Sequence, residues 1–74
     1  MQTFFVDVIL PLPLEARFTY RVPQSLNGAI RFGMRVIVPF GSNKLYAAVV
    51  ERVHEEAPKQ FSVKYVLDVM DERP

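Results

Sequence analysis

The apolar residues of this chain recur with a period of two, and proline or glycine interrupts each stretch before it reaches helical length. That pattern admits strands and little else. Residues 4–10 set Phe4, Val6, Val8 and Leu10 on one face, with Asp7 on the other between Phe5 and Ile9. Pro11 and Pro13 end the stretch, because proline has no N–H to give to a ladder. Residues 18–22 follow, with Phe18, Tyr20 and Val22 on one side, Thr19 and Arg21 on the other, and Pro23 closing the strand. Residues 24–32 contain Asn27-Gly28 and read as loop. Gly33 opens a third strand, 34–40, with Met34, Val36, Val38 and Phe40 on one face and Arg35 and Ile37 opposite. Gly41-Ser42-Asn43 is the clearest hairpin turn. The strand after it, 45 to about 54, carries an Ala47-Ala48 pair that predicts close packing against another element. Residues 55–62 form a polar connector. Residues 64–70 make a last strand with Tyr65, Leu67 and Val69 on one face and Val66 and Met70 on the other. Short helical turns over 15–20 or 55–61 are the competing local reading.

About five short strands with this punctuation predict an all-β domain. Its form is a small open barrel or a strongly twisted antiparallel sheet, OB-like or SH3-like. With 74 residues, the chain makes one domain that buries only about 60% of its unfolded surface, so its stability margin is thin. Half of the residues are hydrophobic and 23% are charged, the balance of a folded domain and not of a disordered tail. There is no cysteine, which excludes disulfides, thiolate zinc sites and cysteine nucleophiles. The net charge of +1 gives no whole-domain sign of nucleic-acid binding, so any DNA contact must come from a local arrangement. The first residues lack a basic region ahead of a long apolar core, and no apolar run approaches the roughly 18 residues of a membrane helix. The expectation is a cytoplasmic protein without membrane contact. The polar residues 71–74 read as a cut in a longer chain.

The chain lacks catalytic signatures. No P-loop pattern is present, and Gly28, Gly33 and Gly41 lie too far apart for a dinucleotide fingerprint. His54, beside Glu55 and Glu56, is the single histidine; one histidine makes no zinc site without other strong ligands, and a surface position is expected for it. Asp7 reads as an edge-strand or outward-facing charge that blocks wrong pairing. Phe18 and Tyr20 fit two roles, stacking on a base or filling the core. Gly41 fits either a turn with positive φ or a close main-chain approach by a ligand. Lys44, Lys59 and Lys64 are candidate phosphate partners or solvated surface.

Taken in order, Val8-Ile9-Leu10-Pro11-Leu12-Pro13-Leu14, Phe18-Thr19-Tyr20-Arg21-Val22-Pro23, Gly33 to Gly41 with its Arg35-Val36-Ile37-Val38-Pro39-Phe40-Gly41 string, Val49-Val50, and Lys64-Tyr65-Val66-Leu67-Asp68 resemble the N-terminal domain of the primosomal protein N′ (PriA) family, the bacterial replication-restart DNA helicases. The resemblance runs through nearly the whole chain. It implies that residues 1–74 are the first, barrel-like part of a 3′ DNA-binding domain, which captures the 3′ end of the nascent leading strand at stalled forks. The parent would be an ATP-dependent 3′ to 5′ helicase acting in replication restart and primosome assembly at the nucleoid. No cofactor is implied for this chain. ATP, Mg and Zn would belong to downstream domains, and other primosome proteins and single-strand-binding protein would be partners of the parent.

The resemblance places a pocket for the 3′-terminal nucleotide at Phe18, Thr19, Gly41 and Lys64. Phe18, Gly41 and Lys64 match the family pattern. Thr19 departs from it: the family often has an acidic residue there, and threonine keeps a hydroxyl but loses the charge. The implied behaviour is a preference for strands with a free 3′-hydroxyl, and binding that Phe18→Ala or Lys64→Ala weakens. Without the family match, the same punctuation fits a small β-barrel that binds a protein partner or packs inside a larger enzyme.

Overall fold

The computed structural model describes residues 2–13, 16–59 and 63–70. Five strands appear in it: β1 (Phe5–Leu10), β2 (Ala16–Arg21), β3 (Arg35–Pro39), β4 (Leu45–His54) and β5 (Asp68–Val69), with one 3-10 turn at Gln24–Leu26. They form one antiparallel sheet in the order β2-β1-β4-β3-β5. The all-β reading therefore holds. The sheet curls until its two edges meet. A parallel bridge joins Arg21, at the end of β2, to Tyr65, through Arg21 N–H donating to the Lys64 carbonyl and Val66 N–H donating to the Arg21 carbonyl, both at 2.9 Å.

The curl follows from the alternation. Val6, Val8 and Leu10 of β1, Val36 and Val38 of β3, and Ala48 and Val50 of β4 all point inward and are buried, with Tyr20, Val22, Ile30 and Val66 completing the core. A two-stranded face cannot cover this set, and a closed sheet can. Ala48 pairs with Val36 and is fully buried, the close packing its small side chain predicts. At the β3–β4 turn, Gly41 and Asn43 have φ of 68° and 64°, and Phe40 N–H donates to the Lys44 carbonyl at 3.0 Å. This is a three-residue loop built on left-handed positions.

The competing helical turns do not form among the described residues, and one local expectation changes. Residues 16–20 are strand and not helix, because Ala16 and Arg17 find partners in Leu10 and Ile9. Residues 55–58 carry no regular element, and the rest of that candidate turn lies partly outside the described residues. The last strand is broken: Val66 is buried while Tyr65 and Leu67 are exposed. The physical reason is its change of partner. Residues 64–66 bond to the β2 edge, and Leu67 and Met70 N–H then donate to the Ile37 and Arg35 carbonyls of β3, so one alternation cannot run through the whole segment.

β4 also shifts phase. Val8 pairs with Val50, but Asp7 pairs with Arg52, leaving Glu51 as the extra residue of a bulge. Beyond it the alternation restarts one residue late. Val53 turns toward Val6, its partner on β1, while Arg52 and His54 come to the outer face beside Asp7 and Phe5.

Candidate functional site

Three chain segments converge where the sheet closes. β2 brings Phe18, Thr19 and Tyr20; the end of β3 and its turn bring Pro39, Phe40 and Gly41; the segment ahead of the Tyr65 bridge brings Val63 and Lys64. These residues line one cavity of about 200 Å³. That is smaller than the roughly 300–1,000 Å³ of cavities that enclose drug-sized ligands, so it suits one end of a ligand and not an engulfed molecule. All four residues singled out from the sequence, Phe18, Thr19, Gly41 and Lys64, stand on its wall. Lys44 and Lys59 are exposed and are not among the described lining residues.

The two aromatic candidates separate. Tyr20 is buried, and its hydroxyl donates to the Pro39 carbonyl at 2.7 Å, pinning β2 to the end of β3. Burial raises its phenol above the usual range, which keeps it a donor. Phe18 is 37% exposed and meets Phe40 edge-on, ring centroids 4.9 Å apart. A half-covered ring on a cavity wall is a stacking surface. Gly41 owes its identity to its positive φ and not to crowding, since a Cβ there would meet nothing within 4 Å; its main chain is open to approach. Lys64 Nζ reaches the Gly41 carbonyl at 3.4 Å, near the outer limit of a hydrogen bond, so the ammonium is lightly tethered and can turn to an anion. Among the described lining residues Lys64 is the charged one, and none is a carboxylate. The wall offers aromatic surface, accessible main chain and one positive charge. The exposed apolar residues Phe32, Leu45 and Leu67 are not part of it.

Behind this wall lies a polar network that sequence reasoning missed. Asp7 lies on β1 between β2 and β4, so it is no edge-strand charge, although it does face away from the core. The Thr19 hydroxyl donates to its Oδ1 at 2.7 Å, His54 Nε2 lies 2.9 Å from the same oxygen, and Arg52 Nε donates to Oδ2 at 3.3 Å. His54 is no surface group either. Its side chain is 12% exposed, it stacks on Phe5, and its Nδ1 accepts the Glu56 N–H at 3.1 Å. The signal that could have found the network is an acid inside an apolar strand together with the three-residue step from Val50 to Val53, which marks the bulge. Burial pushes the Asp7 carboxyl up, but the hydrogen bonds from His54 and Thr19 and the charge of Arg52 outweigh it and hold the group below its ordinary 3.8.

A folded-state value below the unfolded one means that Asp7 stabilises the domain above the unfolded pKa, and that this contribution disappears as pH falls through the folded value. Urea midpoints followed downward from about pH 6 should therefore drop below about pH 4. Asp7→Asn should shrink that drop, and an unchanged pH profile in the variant would count against the network. Among the described residues no group of acidic or histidine side chains could hold a metal ion, and no helix is long and apolar enough to cross a membrane.

With this geometry in place, comparison with known proteins is specific. The family PriA_3primeBD, described as 3′DNA-binding domain (3′BD), matches residues 7–74. The chain is 37% identical over 75 residues to the replication restart protein PriA of Bacillus subtilis, covering 95% of this chain and 9% of that protein. It is 35% identical over 69 residues to the replication restart protein PriA of Haemophilus influenzae, covering 93% and 9%. The chain thus spans about a tenth of the length of these relatives. No solved structure matches it.

Proposed function

Because the chain belongs to the family of PriA 3′ DNA-binding domains, we propose that it captures the 3′-terminal nucleotide of a DNA strand in the cavity between β2, the β3–β4 turn and Lys64. The observation that carries this reading is the convergence of Phe18, Thr19, Gly41 and Lys64 on one small cavity. Phe18 stacks on the terminal base, the main chain at Gly41 lets the sugar approach, and Lys64 meets a phosphate. Such a site needs no long basic groove, which agrees with a net charge of +1. In the longer protein, residues 1–74 serve as the N-terminal end-holding piece of an ATP-dependent 3′ to 5′ helicase that acts at stalled forks in replication restart and primosome assembly. ATP, magnesium and zinc belong to its downstream domains. Covalent linkage to that body supplies the effective concentration that a single small site lacks.

Fluorescence anisotropy with one oligonucleotide in linear and circular form tests the reading. The linear strand should bind more tightly, with a salt slope of about −0.7 to −1.4, corresponding to one or two neutralised phosphates of a single strand. Lys64→Ala should weaken binding and flatten that slope by about 0.7. Equal affinity for the circle would remove end capture and return the domain to the class of protein-binding or packing barrels.

A further inference from the structure

We infer that Arg21 and Tyr65 form a second nucleotide subsite, across the seam of the sheet from the first cavity, that takes the nucleotide next to the terminal one. The inference rests on the end-capture reading. A second cavity of about 200 Å³ is lined by Gln2, Thr3, Arg21, Val22, Gln24 and Tyr65, and it matches the first in size. The two meet at the bridge that closes the sheet. The first takes Tyr20 and Lys64, and the second takes their chain neighbours Arg21 and Tyr65. One or two residues along a strand advance about 3–7 Å, and one stacked nucleotide advances a DNA strand by about 3.4 Å. Neighbouring cavities therefore suit neighbouring nucleotides.

The second wall carries the chemistry of single-strand recognition. The Arg21 guanidinium lies over the Tyr65 ring, 5.5 Å from its centroid. Both residues are exposed, Tyr65 by 47%. Exposed aromatic surface accepts any base by stacking. A guanidinium on an aromatic face still offers its planar fork of N–H groups to a phosphate. Among the described lining residues Arg21 is the charged one, and no carboxylate opposes an anion there. Neither side chain is spent on closing the sheet. The seam is built from main-chain groups, Arg21 N–H to the Lys64 carbonyl and Val66 N–H to the Arg21 carbonyl. Lys64, with its Nζ at the Gly41 carbonyl, takes the phosphate nearest the strand end, and Arg21 takes the next. Two neutralised phosphates correspond to a salt slope of about −1.4.

The test is an NMR titration with two ligands, a deoxynucleoside 5′-monophosphate and the 5′-phosphorylated dinucleotide that ends in the same nucleotide. The proteins are the wild-type chain, Arg21→Gln, Tyr65→Ala and Tyr65→Phe, with circular dichroism to confirm folding. The mononucleotide fills the first cavity alone. The dinucleotide should bind the wild type about fivefold more tightly or better, the lower end of one base–aromatic stack. Arg21→Gln and Tyr65→Ala should each bring that gain to within about twofold and leave mononucleotide affinity unchanged. Tyr65→Phe keeps the ring and should keep the gain. A gain that survives both Arg21→Gln and Tyr65→Ala, or variants that weaken both ligands by one factor, would mark a purely structural pair and overturn the inference. Should Tyr65→Ala not fold, Arg21→Gln carries the test alone. A wild type that prefers linear to circular DNA but gains nothing from the second nucleotide overturns this inference and spares end capture; one that ignores strand ends altogether overturns both.

Discussion

Replacing Phe18 with alanine is expected to weaken capture of a single-stranded 3′ end about 5- to 150-fold while leaving the domain folded. The magnitude is that of one base–aromatic stack, about 1–3 kcal/mol, converted at about 1.4 kcal/mol per factor of ten. The structural cost is small for a definite reason. The ring is 37% exposed, and its one aromatic partner among the described residues is Phe40, met edge-on, a contact of about 0.5–1.5 kcal/mol. Phe18→Leu should recover apolar coverage of the cavity wall without restoring a flat face. Its affinity should stay close to that of the alanine variant if stacking is the interaction, and return toward wild type if mere apolar contact suffices. Anisotropy titrations with the linear oligonucleotide, paired with urea midpoints, separate loss of binding from loss of fold. Unchanged affinity in a folded Phe18→Ala would displace Phe18 from the site.

How far the sequence alone reaches is visible in these strands. Period-two alternation located the inward faces of β1 and β3, because a strand buried on one side must alternate. Alternation failed wherever the backbone leaves a regular ladder. The Glu51 bulge shifts the phase of Arg52, Val53 and His54, and that shift moves His54 from an expected surface position into contact with Asp7 and Phe5. The segment from Lys64 to Met70 serves two sheet edges in turn, so neither face of the expected continuous strand is buried as a set: Val66 is buried while Met70 is exposed. The cavity was legible through family resemblance and not through composition. Phe18, Gly41 and Lys64 are far apart in sequence and meet only because the sheet closes at the Arg21–Tyr65 bridge. Nor does any local pattern tell that Thr19 spends its proton on Asp7, a pairing set by cross-strand register.

The same closure explains why Tyr20, two residues along the same strand face, should behave oppositely to Phe18. Tyr20→Ala is expected to cost about 3–5 kcal/mol, the usual range for removing a large buried aromatic. Further loss comes from the Pro39 carbonyl, which would be stranded without the donor it now has at 2.7 Å. A folded chain of this length has about 4–11 kcal/mol in total at about 0.05–0.15 kcal/mol per residue, so the variant should be largely unfolded or close to it at room temperature. Tyr20→Phe isolates the hydrogen bond. It keeps the ring in the core and removes the tie between β2 and the end of β3, for about 1 kcal/mol. That variant should fold with a lower urea midpoint and an unchanged m-value. Because Pro39 and Phe40 stand on the cavity wall beside Tyr20, Tyr20→Phe should also loosen end capture, though by less than Phe18→Ala. A Tyr20→Ala chain with wild-type stability would mean that the closure of the sheet does not depend on this residue, and the cavity would then need another account of how its two sides are held together.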